Sequence, residues 1–444
     1  MRSSFRLVAV LSAAGAVLAA APAAGASSWT RTQSFSVGKR YEPAPRAAIA
    51  ADGTSAVAWR SKTGKLMLAT GSSGGRFAQP RPIDRAGARE WSVAARPGGG
   101  VLVAWQDTDG IHAAVRARSG AAIAVRRVVA STGEEINGLQ VAADPLGGWA
   151  LAELQFRATG QRFYDVRAMT LAADGRLQGA VQDLGPGDFG IDARPTQAIA
   201  VDDRGRAVLA FRREQSAADG LGPTPLPVLV TTRPHGGAFS APVALSGDAT
   251  ADPRVAVGAG GRALIAATQV RSSGDAGVFG NPVVAAVAPA GTLGDPVGPP
   301  LSNPKRAFAP SAAFTSQGRS VLVFQLKTGS QPFQTEAPVR AVALGPDGSP
   351  GPLQTLTAGQ AKEPVVMSLR GGRALALWSG RSGLGASLAG PDGRFEKTAE
   401  PKGPPPEPFH SNPTNRDLRT AGRWAIFAWG READGRVRVS VRGF

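Results

Sequence analysis

Apolar and polar positions along this chain follow one pattern, written eight times: an apolar run, a short Gly-containing turn, and a second apolar run that usually closes on an aromatic side chain. The first copy is Ala47-Ala48-Ile49-Ala50-Ala51-Asp52-Gly53-Thr54-Ser55-Ala56-Val57-Ala58-Trp59. Later copies end at Trp105, Glu153, Phe211, Ala267, Phe324, Trp378 and Trp429, about 53 residues apart. Short apolar runs separated by Asp-Gly or Gly-Gly are strands joined by tight hairpins, because those turns need residues that accept positive φ. Repeats of this length built from short strands predict an all-β chain folded as a single β-propeller.

Each unit reads as four strands. In the second they are Ser92 to Ala95, Val101 to Trp105, Ile111 to Ala117 and Ile123 to Val129. The last unit has three, ending with Arg436 to Val441, and Thr30 to Val37 is a strand-like stretch with no other partner. Pairing that N-terminal strand into the last blade would close the ring and remove exposed edges. The expectation is eight four-stranded blades, with seven as the alternative if the unit ending at Ala267 is irregular. The Pro-rich stretch Pro401 to Pro413 falls between strands of successive units and reads as a long loop, not a domain boundary.

Residues 1–26 do not fit the repeat. Arg2 and Arg6 precede an apolar stretch, Leu7 to Ala20, too short for a membrane span, and Ala24-Gly25-Ala26 has the small-residue form of a cleavage site. They are expected to be a secretory signal peptide, leaving residues 27–444 as the propeller, secreted or associated with the cell envelope, with no transmembrane anchor. The chain has 0 Cys, so neither disulfides nor thiol chemistry is available to it.

Charge changes the picture modestly. The net charge is +17, mostly arginine, but dispersed, with no run of five or more basic residues. Attraction to an acidic glycan or wall polymer fits this; specific nucleic-acid binding is not indicated. A monomer without a cofactor or metal is expected. His112, His235 and His410 fall in three separate parts of the fold, which argues against a shared metal site or a catalytic triad.

The pattern resembles secreted bacterial β-propellers of the sialidase-like, BNR-repeat type, in architecture and over nearly all of residues 27–444. The Asp-boxes of that type are absent: turns such as Ala173-Asp174-Gly175-Arg176-Leu177 and Pro346-Asp347-Gly348-Ser349 have no following Trp. The resemblance implies a site at the central opening that combines a Glu, a Tyr and arginines.

Strand alternation puts all the short Gly turns on one face and the variable loops on the other, so binding is expected on the loop face. The long loops are read as Glu153 to Asp165, Arg212 to Pro227, Gln269 to Asn281 and Gln325 to Pro338. Ahead of the inner strands stand charges that an eight-fold ring would gather near the opening. Arg46, Arg194, Arg254, Arg306 and Arg416 are the candidate ligand-binding residues, since guanidinium groups clamp carboxylate, sulfate or phosphate bidentately. Glu90 and Asp417 belong to the same set of charges. Glu153 takes the place that most units give to an aromatic residue. With Glu214 it would offer the two carboxyls that glycoside hydrolysis needs, and with Tyr164 a sialidase-like site.

The absence of a catalytic motif favours a non-catalytic propeller that binds a glycan, a cell-wall polymer or a protein through its loop face. The alternatives are a glycan-active hydrolase or lyase using Glu153, Glu214 and Tyr164, and a structural envelope component.

Overall fold

The computed structural model describes residues 32–37, 45–84, 87–130, 136–157, 163–187, 197–215, 224–272, 279–301, 307–327, 337–380, 383–396, 416–431 and 435–443. The signal peptide expected over residues 1–26 lies outside the described residues, as does the Pro-rich loop 401–413. No described helix is long and apolar enough to cross a membrane.

Strand β1 is Gln33–Ser36. The first sheet contains β2 (Arg46–Ile49), β3 (Ser55–Arg60), β4 (Leu66–Gly71) and β5 (Arg81–Pro82). The second contains β6 (Glu90–Arg96), β7 (Gly100–Asp107), β8 (Gly110–Arg116) and β9 (Ile123–Ala130). The third contains β10 (Ile136–Ala143), β11 (Trp149–Arg157), β12 (Phe163–Leu171) and β13 (Leu177–Gly187). The fourth contains β14 (Gln197–Val201) and β15 (Ala207–Phe211), then, after a separate ribbon of β16 (Glu214–Gln215) and β17 (Thr224–Pro225), β18 (Leu229–Arg233) and β19 (Val243–Ala244).

The fifth sheet has nine strands: β20 (Thr250–Gly258), β21 (Arg262–Ser272), β22 (Phe279–Val287), β23 (Ala307–Phe314), β24 (Ser320–Leu326), β25 (Ala337–Leu344), β26 (Gln354–Ser368), β27 (Ala374–Gly380) and β28 (Gly383–Ala389). The sixth joins β29 (Arg416–Ala421), β30 (Trp424–Arg431) and β31 (Arg436–Gly443) to β1. Pairing is antiparallel throughout, and β1 lies against β31 from Gln33↔Val439 to Ser36↔Arg436.

Among the described residues the propeller therefore has six blades, five of four strands and one long curled sheet, plus the small ribbon. This corrects the expectation of eight blades, or seven. The cause is local. In β26 the chain stays extended across the expected connection between units, pairing first with β25 and then with β27. The single pair Gly280↔Ala307 joins β22 to β23. A ladder that never breaks makes one sheet where the sequence repeat suggests three.

Inner strands form a closed ring around the axis, one from each four-stranded sheet and three (β20, β23 and the second half of β26) from the curled sheet, each touching the next. An inner strand has one edge with no ladder partner, and neighbouring side chains satisfy part of it. Ser92 Oγ accepts from Val141 N at 3.2 Å, Ser311 Oγ from Val366 N at 3.1 Å, and Asp417 Oδ2 from Ala47 N at 2.8 Å. In β20 and β23 the register shifts at Asp252 and Ala309, whose φ values of 53° and 51° are left-handed. Each precedes a proline, which a ladder tolerates at such a bulge.

The core lies between successive sheet faces. Leu66, Trp91 and Trp105 pack between the first two sheets, and Leu102, Ile111, Trp149 and Leu151 between the second and third. The curled sheet packs on itself through Phe314 and Phe324, and through Val339 and Trp378. The strand-end aromatics Trp59, Trp105, Phe211 and Phe324 are all buried. Each such side chain stabilises the fold by roughly 1.5–3 kcal/mol.

Candidate functional site

Side chains alternate between the two faces of a strand, so the rows that fill the interface between the second and third sheets can be followed to the loop face. In β11 that row is Trp149, Leu151, Glu153 and Gln155; in β7 it is Leu102, Ala104 and Gln106; in β6 it ends at Ala94, Ser92 and Glu90. Apolar packing thus gives way to a polar cluster at the loop end. Glu90 pairs in register with Gln106, Glu153 with Arg167, and Gln155 with Asp165.

Glu153 lies at the centre and is 0% exposed. Its strand runs four residues further than the sequence suggested, to Arg157, so Glu153 is inside a sheet and not on a loop. Arg167 Nη2 makes an ion pair with Glu153 Oε1, while neither carboxylate oxygen receives a well-aligned hydrogen bond. Loss of water outweighs the arginine. Burial raises the Glu153 carboxyl from its ordinary 4.5 to about 7, the Arg167 charge opposes the rise, and the Glu90 charge adds to it. A carboxyl in this state can hold or release its proton near neutral pH. Glu90 and Arg167 are partly exposed and form the outer side of the cluster.

The other face of the second sheet also ends in a polar group. Trp105 stacks on His112 with centroids 5.5 Å apart, and His112 Nε2 lies 3.0 Å from Asp107 Oδ1. Across the gap, burial raises the Asp84 carboxyl and the Asp107 charge adds to it, although backbone N–H groups oppose the rise. Among the described residues no group of three or more His, Asp or Glu could hold a metal ion.

The remaining residues singled out in the sequence are dispersed. Tyr164 lies three positions from Arg167 in β12, so it points away from Glu153 and packs with Phe211 and Phe239 between the third and fourth sheets. Glu214 is in the ribbon, paired with Pro225, and its side chain lies outside the described residues. The carboxylate that influences Glu153 is Glu90 instead. Arg46 and Arg254 are half-buried on β2 and β20, inner strands that are not neighbours in the ring. Arg194 and Arg306, and the side chain of Arg416, lie outside the described residues. The Glu90–Glu153 juxtaposition had one signal in the sequence: both are acidic residues at the loop-side ends of apolar strands in consecutive units.

No family model and no curated protein matches the chain. Similar solved structures are of low identity. Puromycin hydrolase is 17% identical with a TM-score of 0.45, over 89% of this chain and 59% of that one. The chain therefore spans about three fifths of that hydrolase. Penicillium chrysogenum alpha-L-arabinanase, complexed with arabinobiose, is 12% identical with a TM-score of 0.42, over 93% and 98%. Polysaccharide lyase Uly1 is 11% identical with a TM-score of 0.46, over 82% and 91%. The likeness is one of general architecture, and it supports no specific sialidase or BNR relationship. All three are structures of enzymes, so these neighbours lend no support to the expectation that the chain is more likely non-catalytic.

Proposed function

We propose that this chain is a glycan-active hydrolase or lyase whose site is the Glu90–Glu153–Arg167 cluster on the loop face. The observation that carries the reading is Glu153: a fully buried carboxyl raised to about 7 beside a second carboxylate and an arginine. A carboxyl whose proton affinity is raised by burial next to a second carboxyl is a common element of acid–base work on a glycosidic bond. Glu90 and Arg167, on the solvent side, are the groups placed to meet substrate. Glu153 behind them acts as a positioning residue that sets the charge of the cluster. A guanidinium at the site and the net charge of +17 favour an acidic glycan. Secretion, expected from residues 1–26, belongs to the same proposal.

The test is incubation with neutral and acidic polysaccharides, following new reducing ends for hydrolysis and the ultraviolet absorbance of an unsaturated uronate for elimination. The reading expects product from an acidic polymer, its loss in Glu90→Gln, and a displaced pH profile in Glu153→Gln. Full activity in Glu90→Gln, or no product from any polymer, would overturn it.

A further inference from the structure

At the end of the ring nearest the short turns, the described inner strands line a cavity of about 680 Å³ that opens to solvent. Its wall is mostly aliphatic because the inner strands present small side chains at this level, Ala95, Ala143, Ala200, Ala256 and Ala313, joined by Ala50 just after β2. A closed ring of strands lined this way leaves a shaft that larger side chains would have filled. The volume is within the roughly 300–1,000 Å³ of small-molecule sites.

The charged groups in the lining are already engaged. Arg96 Nη2 donates to Ala117 O at 3.1 Å, and its guanidinium lies over the Trp149 ring at 5.2 Å. Asp202 Oδ2 accepts from Arg206 Nε at 3.0 Å. The Asp203 carboxylate accepts from the N–H groups of Gly260 and Gly261 at 3.0 and 3.1 Å. Asp202 is ion-paired with Arg206 and the Arg96 guanidinium is turned onto the Trp149 ring, and an apolar wall offers water few partners. We propose that this shaft is a binding site for an uncharged, apolar small molecule, separate from the glycan cluster at the opposite end of the ring.

The test is a titration of the full-length folded protein with 1-N-phenylnaphthylamine, an uncharged aromatic probe whose fluorescence rises in apolar surroundings. The proposal expects saturable binding at one site. Filling the shaft with Ala95→Leu/Ala200→Leu is expected to weaken it at least about tenfold. Ser368→Leu, a half-exposed position in the same lining, gives the same comparison should the double variant fail to fold. Non-saturable binding, or unchanged affinity in a variant with wild-type circular dichroism, would overturn the proposal.

Discussion

Replacing Glu153 with Gln is expected to abolish a pH dependence of stability that this one buried carboxyl creates. In the unfolded chain the group loses its proton near the ordinary 4.5; in the folded chain burial raises it to about 7. Between those values the folded state binds more protons, so stability falls as pH rises. The contribution is fully favourable below the lower value and fully lost above the upper one. That interval corresponds to about 3 kcal/mol, at roughly 1.4 kcal/mol per pH unit. For a chain of this length about 1 kcal/mol moves Tm by roughly 1 °C, so the effect is about 3 °C. The assay is tryptophan fluorescence during thermal unfolding of both proteins, from about pH 4 to about pH 8. Glutamine cannot ionise, so the Tm of the variant relative to wild type should climb by that amount across the range. A flat difference would refute the reasoning, showing that Arg167 keeps Glu153 ionised throughout.

Three further outcomes follow from other contacts. Arg206→Ala leaves Asp202 buried without its guanidinium and removes donors to Ala288 O and Gly261 O, so chemical denaturation should show a loss of about 3–5 kcal/mol. Asp417→Ala removes the acceptor of the Ala47 N–H between the sixth and first sheets and is expected to cost about 1–3 kcal/mol, read as a lower urea midpoint. Deleting residues 1–37 removes β1 and leaves the edge of β31 open; it also strips Phe35 from its 5.0 Å stack on Trp59. That protein should bind 8-anilinonaphthalene sulfonate and aggregate where the full chain does not.

Much of the fold was legible because propeller strands are specified locally. The second unit was read as Ser92 to Ala95, Val101 to Trp105, Ile111 to Ala117 and Ile123 to Val129, and the strands are Glu90–Arg96, Gly100–Asp107, Gly110–Arg116 and Ile123–Ala130. The closing partner was legible too, since a last unit short of one strand needs the N-terminal one. Blade number was not. Whether the connection from Thr357 to Lys362 breaks the ladder depends on backbone direction in a segment whose composition is that of a loop. At the site, the sequence marks Glu153 as an acidic residue in an aromatic position but does not mark its partner. Glu214 is near in the repeat pattern, whereas Glu90 comes near only when the faces of two sheets close on each other.

From the sequence alone, alternation of apolar residues and glycine turns determined that the chain is all-β, repeats, and closes on itself, because period-two burial and positive-φ turns are properties of a few consecutive residues. Tertiary structure alone decided that the curled sheet runs unbroken through nine strands. It also set Tyr164 and Glu153 on opposite faces of one sheet and brought Glu90 to Glu153. Those outcomes depend on register and on packing between sheets, and the proton affinity of Glu153 depends on the water that packing removes.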